Sequence, residues 1–144
     1  MANILRNNIG SVLSVTTANA IASAAYAVSA DKLTIDNSTN KALLVDFELQ
    51  VTFGTAPVAG AVQLVAVDYS LDGATAGPPP LSSMIGRTYT MSPMPSTGNA
   101  VTAMRLTCNS VPLPNKTDFY LFNNATGQSI PASSVLRAQC WSPG

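Results

Sequence analysis

The residues of this chain that are most suited to catalytic chemistry are Asp46 and Glu48, its closest pair of carboxylates. They lie in the stretch LLVDFELQVTF, residues 43–53, where apolar and mostly polar side chains alternate. In a strand, this spacing places two side chains on one face about 6.5–7 Å apart, within the ~5–9.5 Å range of glycosidase carboxyl pairs. The same alternation is typical of a strand with one buried face and one solvent- or partner-facing side. The pattern favours a polar strand face over a catalytic pair, and it predicts that replacing both carboxylates by amides leaves folding nearly intact.

The absence of histidine from the sequence excludes several catalytic and metal-binding classes. Ser-His-Asp and Cys-His nucleophile systems, and metals held by histidine, all need an imidazole. Cys108 and Cys140 are too few for a four-ligand structural zinc site within one chain. The Gly-containing stretch at 54–61 lacks the Lys-Ser/Thr pair of a phosphate-binding loop. We therefore expect no enzymatic activity, no catalytic residues, no cofactor and no bound metal.

The charge balance indicates a protein that buries part of its surface against a partner. The 144 residues are enough for one domain with its own core. Seven basic and seven acidic residues cancel, so no field favours nucleic acid or an anionic membrane. Only 10 % of the residues are charged, whereas a typical domain has about 25 %. Because a surface so poor in charge promotes association, we expect partners, including further copies of the chain as a homodimer or homotrimer.

The N-terminal region is predicted to be an extended arm over residues 1–20, followed by a first strand at 21–35. Arg6 is the only charged residue of the arm, and no 3.6-residue apolar stripe marks a helix. Polar side chains interrupt each apolar run, which argues against a cleaved secretory signal. No stretch approaches the ~18 apolar residues of a membrane span. We therefore expect a protein that is made and assembled in the cytoplasm.

Strand-like segments separated by turn residues predict an all-β fold. Besides 43–53, these segments are residues 62–73, 101–114, 117–130 and 133–141. With no periodic helix among them, they predict a single-domain, jelly-roll-like β-sandwich over residues 21–144. Cys108 and Cys140 lie on two of the strands, where a sandwich would allow a disulfide. Synthesis in a reducing cytoplasm favours two thiols instead.

Residues 74–100 are predicted to be a long, proline-rich loop containing one short strand at 86–91. A connection of this length is uncommon in a compact domain unless it binds something. It holds three of the five methionines, which suit adaptable protein contacts but would equally fill gaps over the core. The arm and this loop are the predicted means of attachment to a partner. The predicted contact residues are Ile4, Leu5, Leu13, Met84, Met91, Met94 and Trp141.

Three stretches together resemble small virion proteins of tailed bacteriophages: LTIDNSTNKALLVDFELQVTF, VQLVAVDYSLDG and LPNKTDFYLFNNATGQSI. Among those proteins are jelly-roll cement or decoration proteins that clamp the outside of the head. The resemblance covers residues 33–73 and 111–130 and includes no catalytic motif. It implies a non-enzymatic protein of the head surface that binds across neighbouring major capsid subunits and stabilises their lattice.

Three other functions remain open from the sequence. The same sandwich would serve in a phage neck or tail. A carbohydrate-binding module would present aromatic side chains as stacking platforms, and the candidates are Tyr69, Tyr89, Tyr120 and Trp141. A hydrolase using Asp46 and Glu48 is the most distant alternative. The small number of aromatic residues, many at core positions of the alternation, weighs against the carbohydrate module.

Overall fold

A computed structural model of the chain describes residues 6–80, 87–92 and 103–144. These residues form two antiparallel sheets that pack face to face, with one short 3-10 turn at Ser29–Asp31. The predicted all-β sandwich is confirmed, and its jelly-roll class stays a prediction. The strands are β1 (Arg6–Asn8), β2 (Leu13–Thr16), β3 (Ala25–Tyr26), β4 (Leu33–Asp36), β5 (Leu44–Val51), β6 (Ala61–Asp68), β7 (Arg87–Thr90), β8 (Met104–Pro112), β9 (Lys116–Asn124) and β10 (Val135–Pro143).

The two sheets have the same plan. In sheet I, β5 pairs with β8 and β10, and β1 and β2 lie end to end along the other side of β10. In sheet II, β6 pairs with β7 and β9, and β3 and β4 lie end to end along the other side of β9. A bridge between Ser92 and Thr107 joins the end of β7 to β8. The strands β1 to β4 therefore form the opposite flank of the sandwich.

The core lies between the sheets, and β5 shows why the sequence folds this way. Its alternate residues from Val45 to Val51 are buried, while the residues between them are partly exposed. Phe47 packs against Phe119 of the facing sheet, with ring centroids 4.6 Å apart. Leu43, which the alternation also assigns to the core, is 62 % exposed because the strand begins one residue later.

The N-terminal region differs from the predicted arm. In the described part of 1–20, β1 and β2 are extended, but both pair with β10 and are therefore an edge of sheet I. Leu13 and Val15 pack against the core from this edge. Pairing supplies main-chain hydrogen bonds that need no apolar stripe, which is why the composition of the segment did not reveal the strands.

The single strand predicted over 21–35 is divided into β3, the 3-10 turn and β4. The interruption places Asp31, which is only 2 % exposed, beside the connection between the two sheets. Its carboxylate accepts hydrogen bonds from the backbone amides of Ala18 and Asn19, at 2.9 and 3.1 Å. Asp31 thereby satisfies backbone donors that have left one sheet and not yet joined the other.

The proline-rich loop contains the predicted short strand, which is β7. Part of the loop lies against the outer face of sheet II: Gly77 is so close that a Cβ there would meet Val67 Cγ1 at 2.4 Å. Pro80 is buried, whereas Pro78 and Pro79 are exposed. Immediately before β4, Lys32 lies 3.0 Å from the buried carboxylate of Asp118 on the neighbouring strand β9. The hydrogen bond to Asp118 raises the pKa of Lys32. This part of the loop therefore covers a sheet of its own chain.

Candidate functional site

The outer face of sheet I carries the carboxylate pair in a shallow cleft. Asp46 and Glu48 alternate with the core residues of β5, so the predicted polar strand face is confirmed. The cleft has a volume of about 280 Å³. Three neighbouring strands and the connection between β1 and β2 line it with Val12, Asp46, Phe47, Glu48, Thr107, Asn109, Arg137, Ala138 and Gln139.

Asp46 is held by donors from three other parts of the chain. Its Oδ1 accepts hydrogen bonds from the backbone amide of Ser110, at 2.7 Å, and from Nε1 of Trp141, at 2.9 Å. Its Oδ2 forms an ion pair with Arg6. The Arg6 guanidinium also lies over the Trp141 ring, 5.1 Å from the ring centroid. Asp46 therefore joins β1, β8 and the end of β10 to β5.

The hydrogen bond from Ser110 has its cause in the backbone. The register between β5 and β8 shifts at Asp46, so that Asn109 and Ser110 both lie opposite this one residue. Such a β-bulge disrupts the hydrogen-bond ladder and turns the strand, and Ser110 has a left-handed φ of 58°. The carboxylate accepts the amide that the bulge removes from the ladder. The alternation predicts the exposed side of Asp46 but not this structural role.

Glu48 has a more exposed environment than Asp46. Its carboxylate lies 3.5 Å from the Arg137 guanidinium and 4.0 Å from that of Arg105. The side chains of Glu48 and Arg105 are 35 % and 71 % exposed. Arg137 also donates a hydrogen bond to Gln50 Oε1, at 3.2 Å. Ion pairs this exposed contribute about 0–1 kcal/mol each, so Glu48 is far less tied to the fold than Asp46.

Both carboxylates of the cleft, Asp46 and Glu48, form hydrogen bonds or ion pairs with other residues of the chain. Glycoside hydrolysis needs one carboxyl group as a proton donor and a second as a base or nucleophile towards the sugar. Here three donors surround Asp46 and two guanidinium groups flank Glu48. In residues 6–80, 87–92 and 103–144, no three carboxylate or thiol side chains are grouped to hold a metal ion. The chemistry that the cleft offers is hydrogen bonding through Thr107, Asn109 and Gln139.

The structure does not bring the described contact residues onto one surface. Leu13 is half-buried at the edge of sheet I, and Trp141 lies on its outer face beneath Arg6. Met91 is 1 % exposed and belongs to the core, so the prediction of a partner contact at this residue is corrected to the gap-filling alternative. The other predicted contacts, Ile4, Leu5, Met84 and Met94, lie outside the described residues.

The aromatic side chains considered as sugar platforms differ in exposure, and three of the four contact other side chains of the chain. Tyr120 is 1 % exposed. Lys116 Nζ lies over the Tyr69 ring at 4.6 Å, and the Tyr89 hydroxyl accepts a hydrogen bond from Arg87 at 2.9 Å. The Trp141 ring is only half-buried, and it borders the cleft residue Asp46.

Exposed leucines at one end of the sandwich are a feature that the sequence reasoning missed. Leu71 is 100 % exposed and Leu43 is 62 % exposed. Both lie beside the turn between β8 and β9: Leu43 O accepts the amide of Leu113, and Gly73 approaches the Asn115 side chain. A leucine flanked by turn-forming residues, as in YSLDG, is the sequence pattern from which the exposure of Leu71 could have been predicted.

The turn that carries Leu71 is held by its own side chains. Ser70 Oγ donates to Asp72 Oδ1 at 2.5 Å and accepts the amide of Thr75 at 3.0 Å. Asp72 also accepts the amide of Ala74, at 3.0 Å. The hydrogen bond from the Ser70 hydroxyl, followed by that from Ala74, lowers the pKa of Asp72. The exposed leucine is therefore presented on a preorganised turn.

The two cysteines are free thiols, as the sequence favoured. Cys108 on β8 pairs with Phe47, and Cys140 on β10 pairs with Val45, so β5 separates them. Burial raises the pKa of both thiols, and the nearby Asp46 raises that of Cys108 further. Two strand spacings of about 4.8 Å exceed the Cα separation that a disulfide allows.

Comparison with known proteins adds no relative to these observations. No protein-family model matches the chain, nor does a curated protein or a solved structure. No helix in the described part of the chain is long and apolar enough to cross a membrane.

Proposed function

We propose that this chain is a bacteriophage virion protein, a decoration protein that binds the outer surface of the head and stabilises the lattice of the major capsid protein. The sequence resemblance over residues 33–73 and 111–130 supports the class. The β-sandwich, the low charge and the internal use of Asp46 are consistent with a structural role. The protein acts without enzymatic chemistry and assembles on the head in the host cytoplasm, with neither nucleic acid nor membrane as a partner.

The observation that carries the proposal is the pair of exposed leucines, Leu71 and Leu43, at one end of the sandwich. Burying a leucine side chain contributes about 1.5–3 kcal/mol, whereas leaving it in water contributes nothing. Because hydrogen bonds already hold the Leu71 turn, docking it costs little further conformational entropy. These properties support this end of the sandwich as the proposed capsid-binding surface.

Binding to assembled shells that lack the protein tests the proposal. The purified chain is mixed with shells and sedimented, and the bound fraction is measured against concentration. Leu71→Ser is expected to weaken binding by at least about tenfold, the equivalent of 1.4 kcal/mol. Val58→Ser is the matched control, because Val58 is 72 % exposed and lies in the connection from β5 to β6 at the opposite end. No binding of the wild-type chain, or equal losses in the two variants, would refute the proposed surface.

Two alternatives have distinct outcomes. A neck or tail component would bind no head shell and would be located at the neck or tail in a virion density map. A carbohydrate-binding module is favoured by one observation, the polar cleft bordered by Trp141. Two results together would support that module in place of the decoration protein. The chain would bind a glycan on an array, and the same glycan in solution would quench the fluorescence of Trp141 in the wild type but not in Asn109→Ala.

A further inference from the structure

The flank formed by β1 to β3 has an unusual sequence. Residues 7–30 contain no charged side chain, and they supply β2 and β3 and most of β1. Natural proteins commonly protect exposed strand edges with charges, proline or bulges, because an open row of amides and carbonyls pairs with other strands. None of these features occurs in β2, whose sequence is Leu-Ser-Val-Thr.

Most of the other edge strands carry the protection that β2 lacks. On the opposite flank, β8 has Arg105, a bulge at Ser110 and Pro112 at its end. Its neighbour β7 begins with Arg87, which donates to Pro112 O at 3.2 Å. In sheet II, β4 ends at Asp36. The two-residue β3 also lacks such protection, so β2 is the longest unprotected edge strand among the described residues.

The two charges nearest this edge, Arg6 of β1 and Arg137 of β10, do not protect it. Arg6 of β1 is turned onto the outer face of sheet I, where it pairs with Asp46 and lies over Trp141. Its guanidinium is therefore engaged with its own sheet. Arg137 of β10 pairs with Ser14, but its guanidinium is directed to Glu48 and Gln50 of β5. A strand that approached β2 from outside would therefore meet no charged side chain on β2 itself.

The open groups on β2 can be identified from its pairing with β10. The amide of Thr17 donates to Ser134 O at 2.9 Å, which points Thr17 towards β10. In an antiparallel ladder the direction alternates, so Leu13 and Val15 also face β10, while the backbone groups of Ser14 and Thr16 face outwards. Within the described residues, β2 pairs with no strand besides β10.

We propose that β2 pairs antiparallel with β2 of a second copy of this chain, across a twofold axis at Ser14, and so joins two copies of sheet I into one continuous sheet. Such an interface is self-complementary, since each Ser14 opposes the other and Val12 opposes Thr16. The chain has no net charge, so two copies approach without overall repulsion. The pairing buries Val12, which is 56 % exposed in the single chain.

The small size of the interface indicates how stable the dimer is. The five residues from Val12 to Thr16 that pair in each chain bury less than the roughly 1,000 Å² of a stable interface. The dimer is therefore reversible, and its population rises with protein concentration. This inference does not depend on the proposed function, because it concerns the isolated chain.

Light scattering and sedimentation equilibrium of the full chain, over a concentration series, test the pairing. The wild-type mass is expected to rise from one chain of 14.9 kDa towards two. Ser14→Pro removes an outward donor without removing a bond to β10, so it should hold the mass at one chain. Ser14→Ala keeps the backbone donor and should dimerise as the wild type does. Melting curves establish that each variant is folded.

A second variant keeps the test decisive if Ser14→Pro fails to fold. Ser14→Lys places two like charges across the axis and should weaken the dimer by roughly tenfold. A wild-type mass of one chain at every concentration overturns the inference, as does unchanged dimerisation of Ser14→Lys. A monomeric wild type whose shell binding is lost in Ser14→Pro also overturns it and assigns β2 to a capsid strand. A β2 dimer that binds no shell leaves the inference intact and refutes only the proposed function.

Discussion

Replacing Asp46 by alanine is expected to lower the free energy of unfolding by about 3 kcal/mol, although the residue lies on the polar side of its strand. The substitution removes the acceptor for the Ser110 amide and for Trp141 Nε1, and it removes the ion pair with Arg6. Hydrogen bonds to a charged group contribute about 1.5–3 kcal/mol each, and the surface ion pair adds about 0–1 kcal/mol. Because water reaches the donors after truncation, the lower end of the range applies.

Denaturation in urea, followed by the fluorescence of the single tryptophan, measures this loss. Trp141 reports directly because its indole donates to Asp46. A loss of about 3 kcal/mol corresponds to a melting temperature lower by roughly 6–12 °C in a domain of this size. Asp46→Asn keeps one oxygen as an acceptor but loses the charge, so it should cost about 1–1.5 kcal/mol, more than the nearly intact folding that the strand alternation predicts.

Glu48→Ala is the matched control, since it removes a carboxylate two residues away on the same face. Its ion pairs are exposed, so we expect a loss of only about 0–1 kcal/mol. Equal stabilities of Asp46→Ala and Glu48→Ala, or an Asp46→Ala protein as stable as the wild type, would show that the carboxylate does not hold the bulge.

The remaining predictions concern the core, a close backbone contact and the thiols. Phe47→Ala should cost about 3–5 kcal/mol in urea denaturation, while Thr52→Ala, at an exposed position, should be nearly neutral. Gly60→Ala should cost more than about 2 kcal/mol by the same assay, because its φ is 67° and a Cβ would lie 2.0 Å from a backbone oxygen at the end of β9. Since burial raises the pKa of Cys108 and Cys140, both thiols should react slowly with a disulfide reagent at pH 8, faster at higher pH, and at once in denaturant. Rapid reaction of the native protein at pH 8 would contradict their burial.

Local patterns were sufficient for the strands whose two faces differ in polarity. The alternation in residues 43–53 predicted the buried side of β5. Residues 133–141, predicted as a strand segment, form β10, where Leu136, Ala138 and Cys140 are buried. Side chains alternate between faces in every strand, so a two-residue period reports burial without knowledge of the partner. Turn residues and the absence of a helical period then led to the all-β class.

Features that depend on distant pairing were not accessible in this way. The region 1–20 was predicted as an arm, yet β1 and β2 pair with β10 at the far end of the chain. Methionine fits a contact or a core equally well, and only the packing of the two sheets buries Met91. The composition of a segment indicates which conformations and contacts are compatible with it. Which strand it pairs with depends on residues far away in the sequence.

The carboxylate pair shows the same division at the level of single residues. The sequence by itself determined that Asp46 and Glu48 share the polar face of one strand, because strand geometry imposes the period. Only the tertiary structure decided that Asp46 holds a bulge while Glu48 lies in an exposed ion pair. A one-residue shift in the register of β8 separates the two roles, and register is set by the packing of the whole sheet rather than by the residues of β5.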